Sequence, residues 1–407
     1  MNSRLARTRS NSLLMPRFAF GLLMLSLVVG SSWAQSQAPE KQQRPRRVGN
    51  TNVQTPQDPK DQEVDEGDVV RVDTQLVTVP TFVTNAQGRP LSGLTKQNFI
   101  VFEDNQKQTI ANFGTTEAPF EVALLLDTSG STRADVNLIR QAANAFINAL
   151  RPGDRIAIVA FKDRANAGST LATVDVLSGL TDDRKVLRAA IENLGSSNGT
   201  PYYDALLRVA NDIFRDAART EVRGRRAVVA LTDGVDSASD SVYEDARDKL
   251  LRAGLACYFI QVNTEDFVED RLLRDCRDNG RLTLSARQLQ RYRRIFVPKA
   301  SSEDYGNFCQ MGQFERMQIS RDLYNLARRE MNDLARASGA RNFIATDLQQ
   351  ARAAFARVAD DIGTQYSLGY YPTNKARDGK YRAIRVDVLG VKEKNEIHAR
   401  EGYFAPR

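Results

Sequence analysis

The stretch of sequence that decides the fold is Val122-Ala-Leu-Leu-Leu-Asp-Thr-Ser-Gly-Ser131. Its first five residues are continuously apolar, which is typical of a strand buried on both faces of a sheet. A helix is predicted next, because apolar residues then recur at spacings of three and four. These residues are Val136, Ile139, Ala143, Phe146, Ile147 and Leu150. A buried strand followed by a helix is the repeating unit of a parallel α/β sheet.

The same alternation of strand and helix continues to residue 362. Apolar runs predict further strands at 156–161, 227–231, 256–262 and 342–345. Helical spacing predicts helices at 185–194, 202–218, 242–253, 321–337 and 348–362. Repeated units of this kind predict an α/β fold whose doubly wound, mostly parallel sheet carries helices on both faces. We place this α/β domain at residues 118–362.

Short strands separated by turn signals flank the α/β domain on both sides. They are predicted in the run that extends from residue 69 to the turn 85–90, and at 99–104, 108–113, 366–371, 382–389 and 402–404. Short strands with frequent turns are typical of a sandwich of two sheets. We therefore expect the flanking β segments, 69–117 and 363–407, to form one small β-sandwich into which the α/β domain is inserted.

Residues 1–34 have the layout of a secretory signal peptide. Four arginines and no acidic residue precede the apolar run 18–30, and a small-x-small cleavage site ends at Ala34. This run is shorter than the roughly 20 residues that a membrane span requires. After cleavage, residues 35–68 are predicted to be a disordered linker, because they contain almost no large apolar side chains. We therefore predict a secreted or periplasmic protein without a transmembrane span.

The composition excludes several classes of site and partner. His398 is the only histidine and there are three cysteines, so neither a multi-His nor a four-Cys zinc site can form. The net charge of +7 falls once the four arginines of the leader are removed, since 53 cationic residues then face 50 acidic ones. Nine of those cations lie in 271–299. Because the protein is predicted to be exported, nucleic acid is not expected as a partner. The sequence leaves open whether Cys276 and Cys309 pair, and which oligomeric state the protein adopts.

Three loops that follow predicted strands carry oxygen ligands. Asp127, Ser129 and Ser131 lie two residues apart in the first loop, Thr200 lies in the second, and Asp233 follows the strand 227–231. In open α/β sheets such loops converge at the carboxyl ends of the strands, where ligands bind. Two carboxylates and three hydroxyls suit a hard cation, Mg²⁺ or Mn²⁺. Turn formation and helix capping are the alternative role for any one of these residues.

The Asp-x-Ser-x-Ser sequence at 127–131, the isolated Thr200 and the Thr-Asp-Gly at 232–234 together resemble a known site. It is the metal-ion-dependent adhesion site of von Willebrand factor type A (VWA) domains, which have a Rossmann-like fold. A further resemblance, to the secreted VWFA-related proteins of acidobacteria, lies at 91–95, 102–104, 366–372 and 400–403.

The resemblance implies binding rather than catalysis. The serine hydroxyls would touch the cation, Thr200 would bind it directly or through water, and Asp127 and Asp233 would hold coordinated waters. One open position would then accept the carboxylate of an Asp or Glu from a partner protein whose identity stays open. The helix 348–362 corresponds to the element that slides on ligation in some relatives. An insertion at about 265–320 departs from the compact domain of this family.

Two other functions are weighed against a secreted, metal-dependent adhesion or interaction module. One is a secreted hydrolase, and the other is an envelope-surface binder that acts through the basic insertion. Ser129 does not lie in a Gly-x-Ser-x-Gly motif, and His398 is remote from it in sequence. No Gly-x-x-x-x-Gly-Lys-Ser/Thr phosphate loop is present. We therefore predict no enzymatic activity and assign no catalytic residue.

Overall fold

The computed structural model describes residues 76–114, 119–130, 136–166, 169–216, 225–266, 268–269, 284–306 and 308–407. All of them belong to one unit, Val70–Arg407. The predicted signal peptide, the linker, Ser131 and Cys276 lie outside the described residues. Within the described part of the chain, no helix is long and apolar enough to span a bilayer.

The strands and helices of the described residues are numbered in chain order. The strands are β1 (Val77–Asn85), β2 (Phe99–Glu103), β3 (Gln106–Gln108), β4 (Ile110–Gly114), β5 (Glu121–Leu126), β6 (Arg155–Asn166), β7 (Ser169–Thr181), β8 (Arg226–Thr232), β9 (Ala256–Val262), β10 (Asn342–Ala345), β11 (Tyr366–Tyr370), β12 (Tyr381–Val388), β13 (Asn395–Ala399) and β14 (Gly402–Phe404). The α-helices are α1 (Val136–Ala149), α2 (Arg184–Glu192), α3 (Tyr202–Arg208), α4 (Tyr243–Arg252), α5 (Ala286–Phe296), α6 (Gln313–Ser338) and α7 (Leu348–Gly363).

A six-stranded sheet in the order β10-β9-β8-β5-β6-β7 forms the centre of the α/β domain. β5 pairs in parallel with both neighbours, so that Leu126 lies beside Ala160 of β6 and Leu231 of β8. β9 and β10 continue the parallel arrangement. Within this sheet only β7 is antiparallel, to β6. The predicted α/β fold with a mostly parallel sheet is confirmed.

Both faces of this sheet are covered by helices, which explains the continuous apolar run of β5. Val122 and Leu124 pack on one face in a core shared with α1, α2 and α7. Ala123 and Leu125 pack on the other face in a core shared with α3, α4 and α6. Because successive side chains of a strand point to opposite faces, a strand covered on both sides needs apolar residues at every position.

The predictions missed the hairpin that β6 forms with β7. The predicted strand ended at Phe161, whereas β6 continues to Asn166, and the stretch 169–181 was not predicted to be a strand at all. β7 is one of the two edge strands of the sheet. Most of its described side chains are half-buried or exposed, so its sequence carries no continuous apolar run.

Two predicted helices have different ends in the structure. The helix predicted at 202–218 ends at Arg208, and residues 209–213 form a π-helical turn in which the N–H of Phe214 donates to Val209 O at 3.0 Å. Helix α6 begins at Gln313 rather than at residue 321, so its first turns belong to the predicted insertion. α6 therefore connects the insertion directly to the core of the α/β domain.

The two flanking β segments form one β-sandwich, as predicted. In the sheet β13-β1-β11-β4, Val79 of β1 lies opposite Leu368 of β11. In the sheet β14-β12-β2-β3, Val101 of β2 lies opposite Val386 of β12. These four side chains are buried in one core between the sheets. β1 ends at Asn85, where the predicted turn begins. The prediction missed β13, whose sequence Asn-Glu-Ile-His-Ala has little apolar character.

Candidate metal centre

The candidate site lies at the carboxyl edge of the six-stranded sheet. Asp127 directly follows β5, and Asp233 directly follows β8. Because β5 and β8 are adjacent, parallel and in register, their following loops leave the sheet side by side. The backbone N–H of Asp127 donates to Leu231 O at 2.9 Å, which ties the two strand ends together. The sheet thus brings the two carboxylates of the predicted site to one place.

Hydrogen bonds fix the Asp127 carboxylate in position. Its Oδ1 accepts from the backbone N–H of Ser129 at 2.9 Å. Its Oδ2 accepts from the Thr232 hydroxyl at 2.6 Å, and that hydroxyl in turn accepts from the backbone N–H of Gly234 at 2.9 Å. Thr232 was quoted in the sequence motif but was given no role in the predicted site. In the structure it joins the first loop to the third.

The Asp233 carboxylate is oriented in a similar way. Its Oδ1 accepts from the backbone N–H of Val235 at 3.0 Å, and its Oδ2 accepts from the Thr264 hydroxyl at 2.6 Å. The Thr264 hydroxyl also lies 2.7 Å from the Tyr324 hydroxyl of α6. Thr264 was not among the residues predicted from the sequence. Its position just after β9, the next strand of the sheet, could have indicated that it lies at the same edge.

Burial and mutual repulsion disfavour the charged form of Asp127. Its side chain is fully buried, and burial together with the nearby charge of Asp233 raises the pKa of Asp127 to about 7. Two buried carboxylates side by side are stabilised by a cation, which compensates the charge that the protein interior cannot solvate. This environment fits a divalent cation bound to oxygen.

The loop that carries Thr200 is tied to both of the other loops. The N–H of Thr200 donates to the Ser237 hydroxyl at 2.9 Å, and the carbonyl of Thr200 accepts from the N–H of Ser237 at 3.0 Å. The N–H of Ser197 donates to Thr128 O at 3.0 Å. Asp236 accepts from the N–H groups of Tyr202 and Tyr203 and so fixes the start of α3. These bonds hold Thr200 at the same edge of the sheet as the two carboxylates.

Three of the five predicted ligands line one small cavity of about 80 Å³: Ser129, Thr200 and Asp233. Asp127 does not line the cavity, but the hydrogen bond from the N–H of Ser129 to its carboxylate places Asp127 directly behind Ser129. Ser131 lies outside the described residues. Within the part of the chain that the structure describes, no three His, Cys, Asp or Glu side chains cluster in a way that could hold a metal. A cation here would therefore depend on the serine and threonine hydroxyls as well as the carboxylates, and such oxygen donors suit Mg²⁺ or Mn²⁺.

The predicted insertion forms the opposite wall of this cavity. Leu284, Gln288, Ser320, Leu323 and Tyr324 contribute to its lining. The insertion has an apolar core of its own, against which Val235 of the loop after β8 packs. Ser129, Thr200 and Asp233 are at most 6% exposed. The described part of the insertion and α6 therefore cover this side of the cavity.

Two arginines of the basic stretch 271–299 form ion pairs with acidic residues of the α/β domain. Arg287 forms an ion pair with Asp240 at 2.6 Å, and Arg291 forms one with Glu330 at 2.6 Å and lies over the Tyr203 ring. Arginines 271, 274, 277 and 281 lie outside the described residues. The two ion pairs attach α5 to the α/β domain, which counts against a purely solvated basic surface.

The described cysteines, Cys257 and Cys309, and His398 do not line the candidate site. Cys257 is free and buried in β9, and burial raises the pKa of its thiol to about 12. Cys309 is disulfide-bonded. His398 lies in β13 of the sandwich, stacked on Phe82 with ring centroids 4.4 Å apart, and burial lowers its pKa to about 4. A half-buried, neutral imidazole stacked in this way has a packing role.

Comparison with known proteins assigns the α/β domain. The sequence model of the von Willebrand factor type A domain matches residues 122–235. No curated protein sequence matches the chain. The resemblance to acidobacterial proteins stays a prediction.

Solved structures give likenesses at low identity. Proximal thread matrix protein 1 of the mussel byssus is 14% identical with a TM-score of 0.39, covering 64% of this chain and 51% of its own. A von Willebrand factor type A protein from Catenulispora acidiphila is 12% identical with a TM-score of 0.36, over 82% and 74% of the two chains. BatB from Bacteroides thetaiotaomicron is 13% identical with a TM-score of 0.34, over 60% and 98%. The chain thus spans about half the length of the byssus protein.

The family assignment rests on the sequence match, which begins in β5 and ends just after Asp233. It includes the first loop, Thr200 and Asp233, all of which lie at one edge of the sheet. The chain contains a von Willebrand factor type A domain.

Proposed function

We propose that this protein is a secreted or periplasmic protein-binding module whose binding depends on Mg²⁺ or Mn²⁺. The observation that carries the proposal is the convergence of Ser129, Thr200 and Asp233 on one small cavity, with the buried Asp127 directly behind it. The leader-like residues 1–34 support export. No residue is assigned a catalytic role.

Each group has a distinct part in holding the cation. The hydroxyls of Ser129, Ser131 and Thr200 are neutral donors, and Asp127 and Asp233 supply the compensating charge. Thr232 and Thr264 orient the two carboxylates from behind. Because few anionic groups would touch it directly, the cation keeps its attraction for a further carboxylate, from an Asp or Glu of a partner. Hydrogen-bonded support of this kind commonly determines how well a metal site binds.

Binding of the metal to the folded state should raise the melting temperature. At a free Mn²⁺ concentration 100 times the dissociation constant, the stabilisation is about 2.7 kcal/mol, a shift on the order of 5 °C. Asp127→Ala should abolish this shift. Asp182→Ala is the matched control, since Asp182 is an exposed acidic residue that follows β7 at the opposite edge of the sheet, and it should retain the full shift. A wild-type melting temperature that Mn²⁺ and Mg²⁺ leave unchanged would contradict the proposal.

Partner binding needs a separate test. Wild-type protein and Asp127→Ala would be used to capture proteins from the cell envelope and culture medium of the source organism, in Mg²⁺ or in EDTA. We expect a partner that is retained by the wild type in Mg²⁺ and released by EDTA. A partner retained equally by Asp127→Ala would use another surface.

A further inference from the structure

A second hydroxyl-bearing residue faces the candidate metal centre from α6. Ser320 is 1% exposed, and its Oγ makes no hydrogen bond within the described residues. A serine inside a helix can satisfy its hydroxyl by bonding to a carbonyl of the preceding turn. Ser338 in the same helix does so, because its Oγ donates to Ala335 O at 3.0 Å and accepts from the N–H of Cys257 at 2.9 Å. Ser320 is thus a buried hydroxyl whose partner is not a protein group described in this structure.

A hydrogen-bond partner for the Ser320 hydroxyl would lie in the cavity of the candidate metal centre. Ser320 lines the same cavity of about 80 Å³ as Ser129, Thr200 and Asp233. Buried polar groups in proteins are nearly always hydrogen-bonded, to protein or to ordered water. A cavity of this volume has room for a cation together with water. The open hydroxyl therefore lies where a hydrated cation would supply its partner.

The helix that carries Ser320 is already connected to the carboxylates of the site. Tyr324, one turn further along α6, contacts the Thr264 hydroxyl at 2.7 Å, and that hydroxyl donates to Asp233 at 2.6 Å. Leu323 between them lines the cavity as well. One face of α6 is thus the wall of the site opposite the sheet.

We propose that Ser320 is a further binding residue of the metal centre and that its hydroxyl hydrogen-bonds a water molecule held by the cation. This rests on the proposed function, because it requires a cation among Asp127, Ser129, Thr200 and Asp233. Ser320 lies at the junction of the insertion and α6, so the insertion contributes to the site as well as covering it. Binding of the cation and the stability of the first turns of α6 are then linked, and the linkage is reciprocal.

The test measures Mn²⁺ binding by titration calorimetry on the full mature chain, together with the melting temperature in EDTA. Ser320→Ala should weaken Mn²⁺ binding by about three- to tenfold, as expected for one lost hydrogen bond. Its melting temperature in EDTA should not fall, since the hydroxyl has no hydrogen-bond partner to lose among the residues that the structure describes. Ser338→Ala is the control in the same helix, and it should lower the melting temperature while leaving Mn²⁺ affinity within twofold.

A second readout is amide hydrogen exchange over residues 316–324. Mn²⁺ should slow exchange there in the wild type, and it should do so to a smaller extent in Ser320→Ala. Asp233→Ala separates the two proposals, because it should lose Mn²⁺ binding altogether. If Asp233→Ala fails to bind and Ser320→Ala binds like the wild type, the role of Ser320 is overturned and the metal site stands. If the wild type does not bind Mn²⁺, both proposals are overturned. If Ser320→Ala lowers the melting temperature in EDTA as much as Ser338→Ala does, Ser320 has a structural role instead.

Discussion

Replacing Thr232 by valine tests how the hydroxyl behind the site supports it. Valine has nearly the same shape as threonine but lacks the hydroxyl that donates to Asp127 Oδ2 at 2.6 Å and accepts from the N–H of Gly234 at 2.9 Å. Thr232 and Asp127 are both fully buried, so water cannot replace these bonds. A buried polar group left without its partner costs about 1–3 kcal/mol. Two such groups predict that Thr232→Val destabilises the metal-free protein by about 2–6 kcal/mol.

The same substitution should reduce metal affinity, because Asp127 loses one of the groups that orient it. Loss of a group that orients a ligand typically costs about 10–100-fold in affinity. Thr128→Val is a matched control, since Thr128 is equally buried in the same loop and its hydroxyl donates to the main chain, at Phe161 O, at 3.3 Å. Thr128→Val should therefore lose stability but keep its Mn²⁺ affinity.

Two assays separate these effects. Urea unfolding in EDTA measures the stability of the metal-free protein, and titration calorimetry with Mn²⁺ measures the affinity of the folded protein. If Thr232→Val and Thr128→Val bind Mn²⁺ within twofold of each other, Thr232 does not orient Asp127 for the metal. If Thr232→Val is as stable as the wild type in EDTA, the hydrogen bonds assigned to Thr232 contribute nothing to stability.

Two further predictions concern the β-sandwich. Because burial lowers the pKa of His398 to about 4, its imidazole takes up a proton at higher pH in the unfolded chain than in the folded protein, so the contribution of His398 to stability should fall as pH drops from about 6.5 towards 4. Between pH 8 and pH 5, the wild type should therefore lose about 2 kcal/mol of stability relative to His398→Gln in urea unfolding; equal pH profiles of the two proteins would contradict this. Glu103 is buried in β2, accepts from the Tyr370 hydroxyl at 2.6 Å and pairs with the buried Arg382 at 3.3 Å. Glu103→Ala should destabilise the protein by about 3–5 kcal/mol in urea unfolding, because the guanidinium of Arg382 then stays buried without its carboxylate. A loss of stability below about 1 kcal/mol would show that the Glu103–Arg382 ion pair does not hold the two β segments together.

The central sheet and the positions of Asp127 and Asp233 at its edge were predictable from the sequence. A strand covered on both faces must be apolar throughout, so β5 and β8 are visible as continuous apolar runs. Parallel strands end at the same edge of the sheet, so the residues that follow them, Asp127 and Asp233, had to lie close together. The edge strand β7 was missed because a strand paired on one side, with half-buried side chains, carries no comparable signal.

Only the tertiary structure decided which side chains support and cover the site. The hydroxyls of Thr232 and Thr264 donate hydrogen bonds to carboxylates that lie 105 and 31 residues earlier in the chain. Ser320 lines the cavity from α6, a helix whose predicted start at residue 321 lies after its observed start at Gln313. A hydroxyl in a sequence has many possible partners, and strand register and side-chain direction decide among them after the chain has folded. Apolar periodicity is a local property that the sequence displays by itself. The partner of a polar side chain depends on packing between distant segments, and packing exists only in the folded protein.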